Sequence, residues 1–217
     1  MLVTMAGKKR KVKDEPIILD ENFIPTLIEM VQKVEWPYKV NQKQLWQRDQ
    51  ALVSFLILTG IRNSESQQIK KKQTRNYKTH ILIVDVQTLK NGKMRHEIIL
   101  PKTGDLHPFT QIFETWLNQI PDDQEAVLFP SANGNGTIQW SKPLSRYRIH
   151  AIIKFTIGMF PHWFRGCCET MYGKQLFDND LFALQEFMGI KNINNLTPYV
   201  SGQWQRYKKN ILNAKIT

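Results

Sequence analysis

The sequence predicts an α+β fold, mainly helical, with one small antiparallel sheet. Apolar residues recur at helical spacing along most of the chain, but between residues 80 and 100 the period shortens to that of strands. At the centre of that stretch Asn91-Gly92 separates two apolar runs, the strongest short signal for a β-hairpin.

The elements follow in order. Residues 1–16 are predicted to form a basic, flexible arm, because Lys8-Lys9-Arg10-Lys11-Val12-Lys13 is followed by Asp14, Glu15 and Pro16 with little apolar content. The run also looks like a nuclear localisation signal, a pattern that short basic runs match by chance. Globular patterning begins at Ile17, and residues 17–217 are read as one domain. Phe23, Leu27, Ile28, Val31 and Val34 mark a first helix. Residues 51–59 (ALVSFLILT) mark a second, ended by Gly60 as a C-terminal cap. A third is expected near Ser64, with Gln67 completing a capping box. Residues 80–86 (HILIVDV) and 96–100 (HEIIL) are the two strands around Lys90-Asn91-Gly92-Lys93. Helices are predicted over 109–120, 144–155, 162–171 and 181–188, with loops at 122–123 and 131–136.

Composition narrows the function classes. The 217 residues carry a formal charge of +11, which favours a polyanionic partner through counterion release. The two cysteines, Cys167 and Cys168, are adjacent and cannot form an ordinary disulfide with each other. Cys168 and His162 lack metal-ligand spacing, so no metal site is expected. No apolar run approaches the roughly 20 residues of a membrane span, and the N-terminus lacks a signal-peptide core. A soluble, intracellular protein is the expectation.

Three segments hold polar groups that can do chemistry. Thr59-Gly60-Ile61-Arg62-Asn63-Ser64-Glu65 sets an arginine at the break between two helices, where its guanidinium can present a rigid fork to a phosphate. Lys90 sits at the hairpin turn. Pro161-His162-Trp163-Phe164-Arg165 opens a helix, so His162 and Arg165 share a face at i and i+3. Taken singly, each has an ordinary reading as a surface or carboxylate-paired side chain. Tyr199, after Thr197-Pro198, has one as a packing residue.

Together, in this order and at this spacing, the segments resemble the tyrosine recombinase family, the phage integrases and Xer-type recombinases. Residues 48–65 look like that family's first arginine box, and Lys90-Asn91-Gly92-Lys93-Met94-Arg95 looks like its β-hairpin, whose first lysine is catalytic. The stretch from His162 to Tyr199 is similar to its second box, with Met188-Gly189-Ile190 at the turn and Tyr199 nine residues after Ile190. The resemblance covers about residues 17–205 and implies the tyrosine recombinase catalytic fold.

It also implies a site-specific recombinase that cleaves and rejoins double-stranded DNA through a 3′-phosphotyrosyl bond, without metal, ATP or other cofactor. Arg62 and Arg165 are expected to clamp the scissile phosphate, His162 to assist proton removal from Tyr199, and Lys90 to protonate the leaving 5′-oxygen. Lys93 and Arg95 are expected to contact the DNA backbone. By the same analogy the active form is a homotetramer on DNA. The expected location is cytoplasmic, in a prokaryotic or viral system, with a nuclear one as the option for a eukaryotic host.

Two departures stand out. Ile190 replaces the histidine or tryptophan usual at that turn, and the separate N-terminal DNA-clamping domain is expected to be absent or truncated. Both favour an alternative, a catalytically weakened or inactive integrase-like DNA-binding protein. A type IB topoisomerase and an unrelated helical nucleic-acid binder are the further alternatives.

Overall fold

The computed structural model describes residues 22–34, 38, 42–89, 92, 94–173, 180–190, 192–193 and 196, with Trp163 described by its backbone alone. The basic arm, Lys90, Asn91, Lys93, Tyr199 and the C-terminal tail lie outside the described residues.

Helix α1 spans Phe23–Lys33 and buries Ile24, Leu27 and Val31, one stripe of an amphipathic helix. Helix α2, Lys43–Thr59, is the centre of the fold, with every residue from Ala51 to Thr59 buried. It starts eight residues before the apolar run that announced it. Its N-terminal half holds the buried pair Arg48–Asp49, whose charges hide the segment from a reading by hydrophobicity. Phe55 from α2 packs at 5.3 Å from both Phe113 and Phe129. Burying each such ring stabilises by roughly 1.5–3 kcal/mol.

Gly60 ends α2 in the left-handed conformation (φ 55°), its N–H donating to Leu56 O at 2.9 Å. A Cβ at Gly60 would lie 2.7 Å from Met188 Cε, so this turn also admits the Met188 side chain from the far end of the sequence. Gly60→Ala is expected to destabilise by about 1–2 kcal/mol through the backbone alone, with a further loss for displacing Met188, read as a lower midpoint in urea.

The short helix α3, Asn63–Ser66, follows at once. Its capping carboxylate is Glu65, which accepts from the Arg62 N–H at 3.1 Å, and not the Ser64–Gln67 pair expected from sequence. The box sits two residues earlier because the chain re-enters helix at Asn63, leaving Arg62 extended (ψ 145°).

A three-stranded antiparallel sheet comes next: β1 (Thr74–Asn76), β2 (His80–Gln87) and β3 (Met94–Pro101), in the order β1-β2-β3. The predicted hairpin is present, with Gln87 opposite Met94 and Val86 opposite Arg95. Strand β1 is too short and polar to be legible in sequence. Helix α4, His107–Leu117, covers the core with Phe109, Phe113 and Trp116, whose indole N–H donates to Leu128 O at 2.7 Å.

The segment expected as a loop at 131–136 is partly sheet: β4 (Pro130–Ala132) pairs antiparallel with β5 (Ile138–Pro143). Asn135-Gly136 is a second hairpin signal, and Gly136 takes φ 90° there. Helices α5 (Arg146–Ile157), α6 (Pro161–Met171) and α7 (Leu181–Phe187) complete the described fold. The outcome is the mainly helical α+β architecture expected, with five strands among the described residues where two were foreseen.

Candidate active site

The site is built on the C-terminal end of α2. Helix ends leave carbonyls without intrahelical donors, and their summed dipoles favour cations there by about 0.3–1 kcal/mol each. Here later elements supply the donors. Tyr172 Oη donates to Ile57 O at 2.8 Å, Arg95 Nη2 to Thr59 O at 3.2 Å and Arg165 Nη1 to Gly60 O at 2.6 Å. One helix terminus therefore gathers two guanidinium groups, from β3 and α6, beside Arg62 at the start of α3.

Each of the two arginines foreseen at the phosphate site has its own carboxylate. Arg62 Nη1 donates to Glu65 Oε1 at 2.8 Å, and Arg165 Nε to Glu169 Oε1 at 2.8 Å. The i,i+3 and i,i+4 spacings let both pairs form along single helical turns. Glu65 and Glu169 are almost wholly buried, whereas the Arg62 side chain keeps 26% of its surface and Arg165 12%. The carboxylates thus hold the guanidinium groups from behind. Burial pushes the Glu169 carboxyl above the usual carboxylate range, against the opposing pull of Arg165, His162 and Arg62. Among the described residues Arg165 Nη2 has no hydrogen-bond partner, which leaves it as a spare donor.

Helix α6 delivers the second box. Pro161 occupies its first turn, where a missing N–H costs nothing. His162 is exposed, Phe164 is buried in the core, and Arg165 lies between them in burial, the one-sided helix expected of His162 and Arg165 sharing a face. Lys90, Lys93 and Tyr199 lie outside the described residues, but the Gln87–Met94 pair closes the hairpin whose loop carries both lysines.

Arg95 departs from expectation. It is expected to contact the DNA backbone, yet only 5% of it is exposed. In β3 exposed Met94 and His96 flank it, so strand alternation turns its side chain into the protein. There its guanidinium lies over the Phe187 ring, 5.1 Å from the centroid. Desolvation, reinforced by repulsion from Arg165, lowers its pKa to about 9, which still leaves it charged at neutral pH. Ile190 belongs to the buried core, 5% exposed. Sequence reasoning missed Glu65 and Glu169 as partners, although Arg-x-x-Glu and Arg-x-x-x-Glu spacings were there to signal them.

A separate cleft of about 460 Å³ opens between α2, the β4–β5 hairpin and the start of α5, lined by Tyr38, Arg48, Lys142 and Arg148 among others. Arg62, His162 and Arg165 do not line it. Among the described residues no cluster of His, Cys, Asp or Glu could hold a metal ion, and no helix is long and apolar enough to cross a membrane.

Residues 18–206 match the phage integrase family. The chain belongs to that family. Solved structures agree on the fold. The XerH site-specific recombinase bound to palindromic difH substrate, in a post-cleavage complex, is similar with a TM-score of 0.63 at 20% identity, over 90% of this chain and 52% of that one. The XerA recombinase gives 0.60 at 18% identity, over 93% and 66%. A lambda integrase dimer bound to a COC' core site gives 0.52 at 14% identity, over 88% and 49%. The chain therefore spans about half the length of the XerH and lambda integrase chains and two thirds of XerA. No curated protein sequence matches it. The fold is that of the tyrosine recombinase catalytic domain.

Proposed function

We propose that this integrase-family chain is a site-specific DNA recombinase that cuts and rejoins double-stranded DNA through a covalent bond to Tyr199. The observation that carries the reading is the gathering of Arg62 and Arg165 at one helix break, each backed by a buried carboxylate and with one Arg165 donor unused. Two preorganised guanidinium groups suit the negative charge that builds on a phosphate's non-bridging oxygens when it becomes pentacoordinate. Because Glu65 and Glu169 anchor them beforehand, little reorganisation is needed at the moment of reaction.

In this mechanism the Tyr199 oxygen attacks the scissile phosphorus and loses its proton with the assistance of His162. A free tyrosine hydroxyl has a pKa of ~10, so only about one in a thousand is ionised at neutral pH and such assistance is needed. The P–O5′ bond breaks, and Lys90 gives a proton to the departing 5′-oxygen. One phosphodiester has replaced another, so a 5′-hydroxyl from a second strand can reverse the step. Lys93 would steady the DNA backbone, and the working assembly is a homotetramer on DNA.

The test is incubation with a pool of randomised, nicked duplexes, which lose a short fragment on cleavage and so trap the intermediate. Wild-type protein is expected to give an SDS-resistant adduct, and Tyr199→Phe none. A second reading, an integrase-like DNA-binding protein without cleavage, is favoured by Ile190, an apolar core residue that cannot donate a hydrogen bond to a phosphate. Salt-sensitive DNA binding with no adduct from the wild type would decide for it.

A further inference from the structure

Arg95 is a costly residue for a protein interior, since a buried charge is tolerated only where specific partners hold it. Its partners lie on three different elements. Nη2 donates to Thr59 O at the end of α2, one residue before the carbonyl that holds Arg165. The guanidinium covers Phe187, the last residue of α7. The aliphatic stem supports Gly189, where a Cβ would stand 3.2 Å from Arg95 Cγ and 2.8 Å from Thr88 Cγ2. Arg95 itself lies one residue beyond the pair that closes the lysine-bearing hairpin loop, and Thr88 begins that loop. Gly189 takes φ 60°, and Tyr199 lies ten residues further along the chain. One side chain therefore touches the arginine platform, the hairpin and the turn that precedes the tyrosine.

We infer that Arg95 is a positioning residue, which sets the β2–β3 hairpin and the Met188–Gly189–Ile190 turn in register with the Arg62–Arg165 phosphate site. Methionine, apolar and of similar length, would fill the space but has no N–H to donate to Thr59 O. Lysine would keep the charge but could not present a flat guanidinium to Phe187 while donating to that carbonyl. Among the described residues Arg95 Nη1 has no hydrogen-bond partner, so the site carries one further buried donor. The inference rests on the recombinase reading for its catalytic consequence, and on packing alone for its structural one.

The experiment uses the full chain with Arg95→Met and Arg95→Lys. Hydrogen exchange is followed in peptides covering residues 82–95 and 184–190, with α4 as reference. Both variants are expected to exchange faster in the two peptides together while α4 stays at the wild-type rate. On a nicked duplex that traps the wild type, Arg95→Met is expected to form adduct about 100-fold more slowly, with DNA affinity within about threefold of wild type. Arg95→Lys should fall between. Unchanged exchange at 184–190, or equal acceleration in α4, would overturn the positioning role. Equal losses of adduct rate and DNA affinity would overturn it too. If the wild type gives no adduct, the recombinase reading fails, and the exchange pattern alone then decides whether Arg95 couples the two segments.

Discussion

Arg165→Ala is expected to reduce covalent adduct formation by about 100- to 1,000-fold, comparable to the removal of a preorganised donor from an oxyanion site. Two interactions and one spare donor disappear together: the bond to Gly60 O, the pair with Glu169, and the Nη2 group that has no partner among the described residues. The first two keep the guanidinium in place, and under the proposed reading the third is the donor that serves the phosphate. DNA affinity should fall far less, because the remaining cations still neutralise backbone charge. Glu169 is left buried without its guanidinium, which costs about 1–3 kcal/mol of stability. Melting temperature, affinity by fluorescence anisotropy and adduct rate therefore need to be measured on one preparation. Arg165→Lys refines the result, because it keeps a charge but cannot hold Glu169, Gly60 O and a phosphate with one fork. If Arg165→Ala weakened adduct formation only as much as binding, the non-catalytic reading would gain.

Arg48→Met is expected to have the largest effect on stability. Arg48 and Asp49 are 2% and 0% exposed, bound through Arg48 Nε to Asp49 Oδ1 at 2.8 Å and Nη2 to the same oxygen at 2.7 Å. Arg48 Nη1 also donates to Pro130 O at 2.9 Å, which ties α2 to the β4–β5 hairpin. Removing one partner of a buried pair costs about 3–5 kcal/mol, which for a chain of this size lowers the melting temperature by roughly 10 °C.

The loss should depend on pH. Burial already pushes the Asp49 carboxyl above its usual value, with Arg48 pulling it back. A raised carboxyl pKa favours the folded state at low pH and the benefit disappears as pH rises through the folded value. Without Arg48 that value rises further, so the deficit of Arg48→Met should shrink on acidification and grow toward neutral pH. Tyr38 and Arg148 also meet Asp49, and they cushion the loss without replacing the bidentate partner. The double replacement Arg48→Met, Asp49→Leu should recover most of the stability, since no charge is then stranded. Thermal melts between pH 4 and 8 check both statements.

How much was legible differs by element. Helix α1 could be read from its apolar stripe, and the β2–β3 hairpin from Asn91-Gly92 between two apolar runs, because local periodicity and turn chemistry act within a few residues. The start of α2 was not legible, since its buried Arg48–Asp49 pair is stabilised by Pro130, Tyr38 and Arg148, all distant or polar. Strand β1 depends on pairing with β2 and has no pattern of its own. In the site, Arg62, His162 and Arg165 were legible as a pattern of boxes, but their carboxylates were not singled out. Arg95 was expected at the DNA backbone from a hairpin segment ahead of the strand at 96–100; β3 starts at Met94, and its alternation buries Arg95 instead.

The sequence by itself determined the helices and hairpin, the basic character, and the order and spacing of the family's polar positions. These follow from local propensities and from residue identities along one dimension. Only the tertiary structure decided that the last carbonyls of α2 draw Arg95 and Arg165 to one helix end. It also decided that Glu65 and Glu169 stand behind the arginines, and that Arg95 is enclosed beneath Phe187 and Gly189. Those facts depend on groups up to 105 residues apart meeting at hydrogen-bond distance, as Arg165 meets Gly60. Whether a buried cation is tolerated depends on that three-dimensional set of acceptors and rings, because desolvation must be offset by partners from every direction.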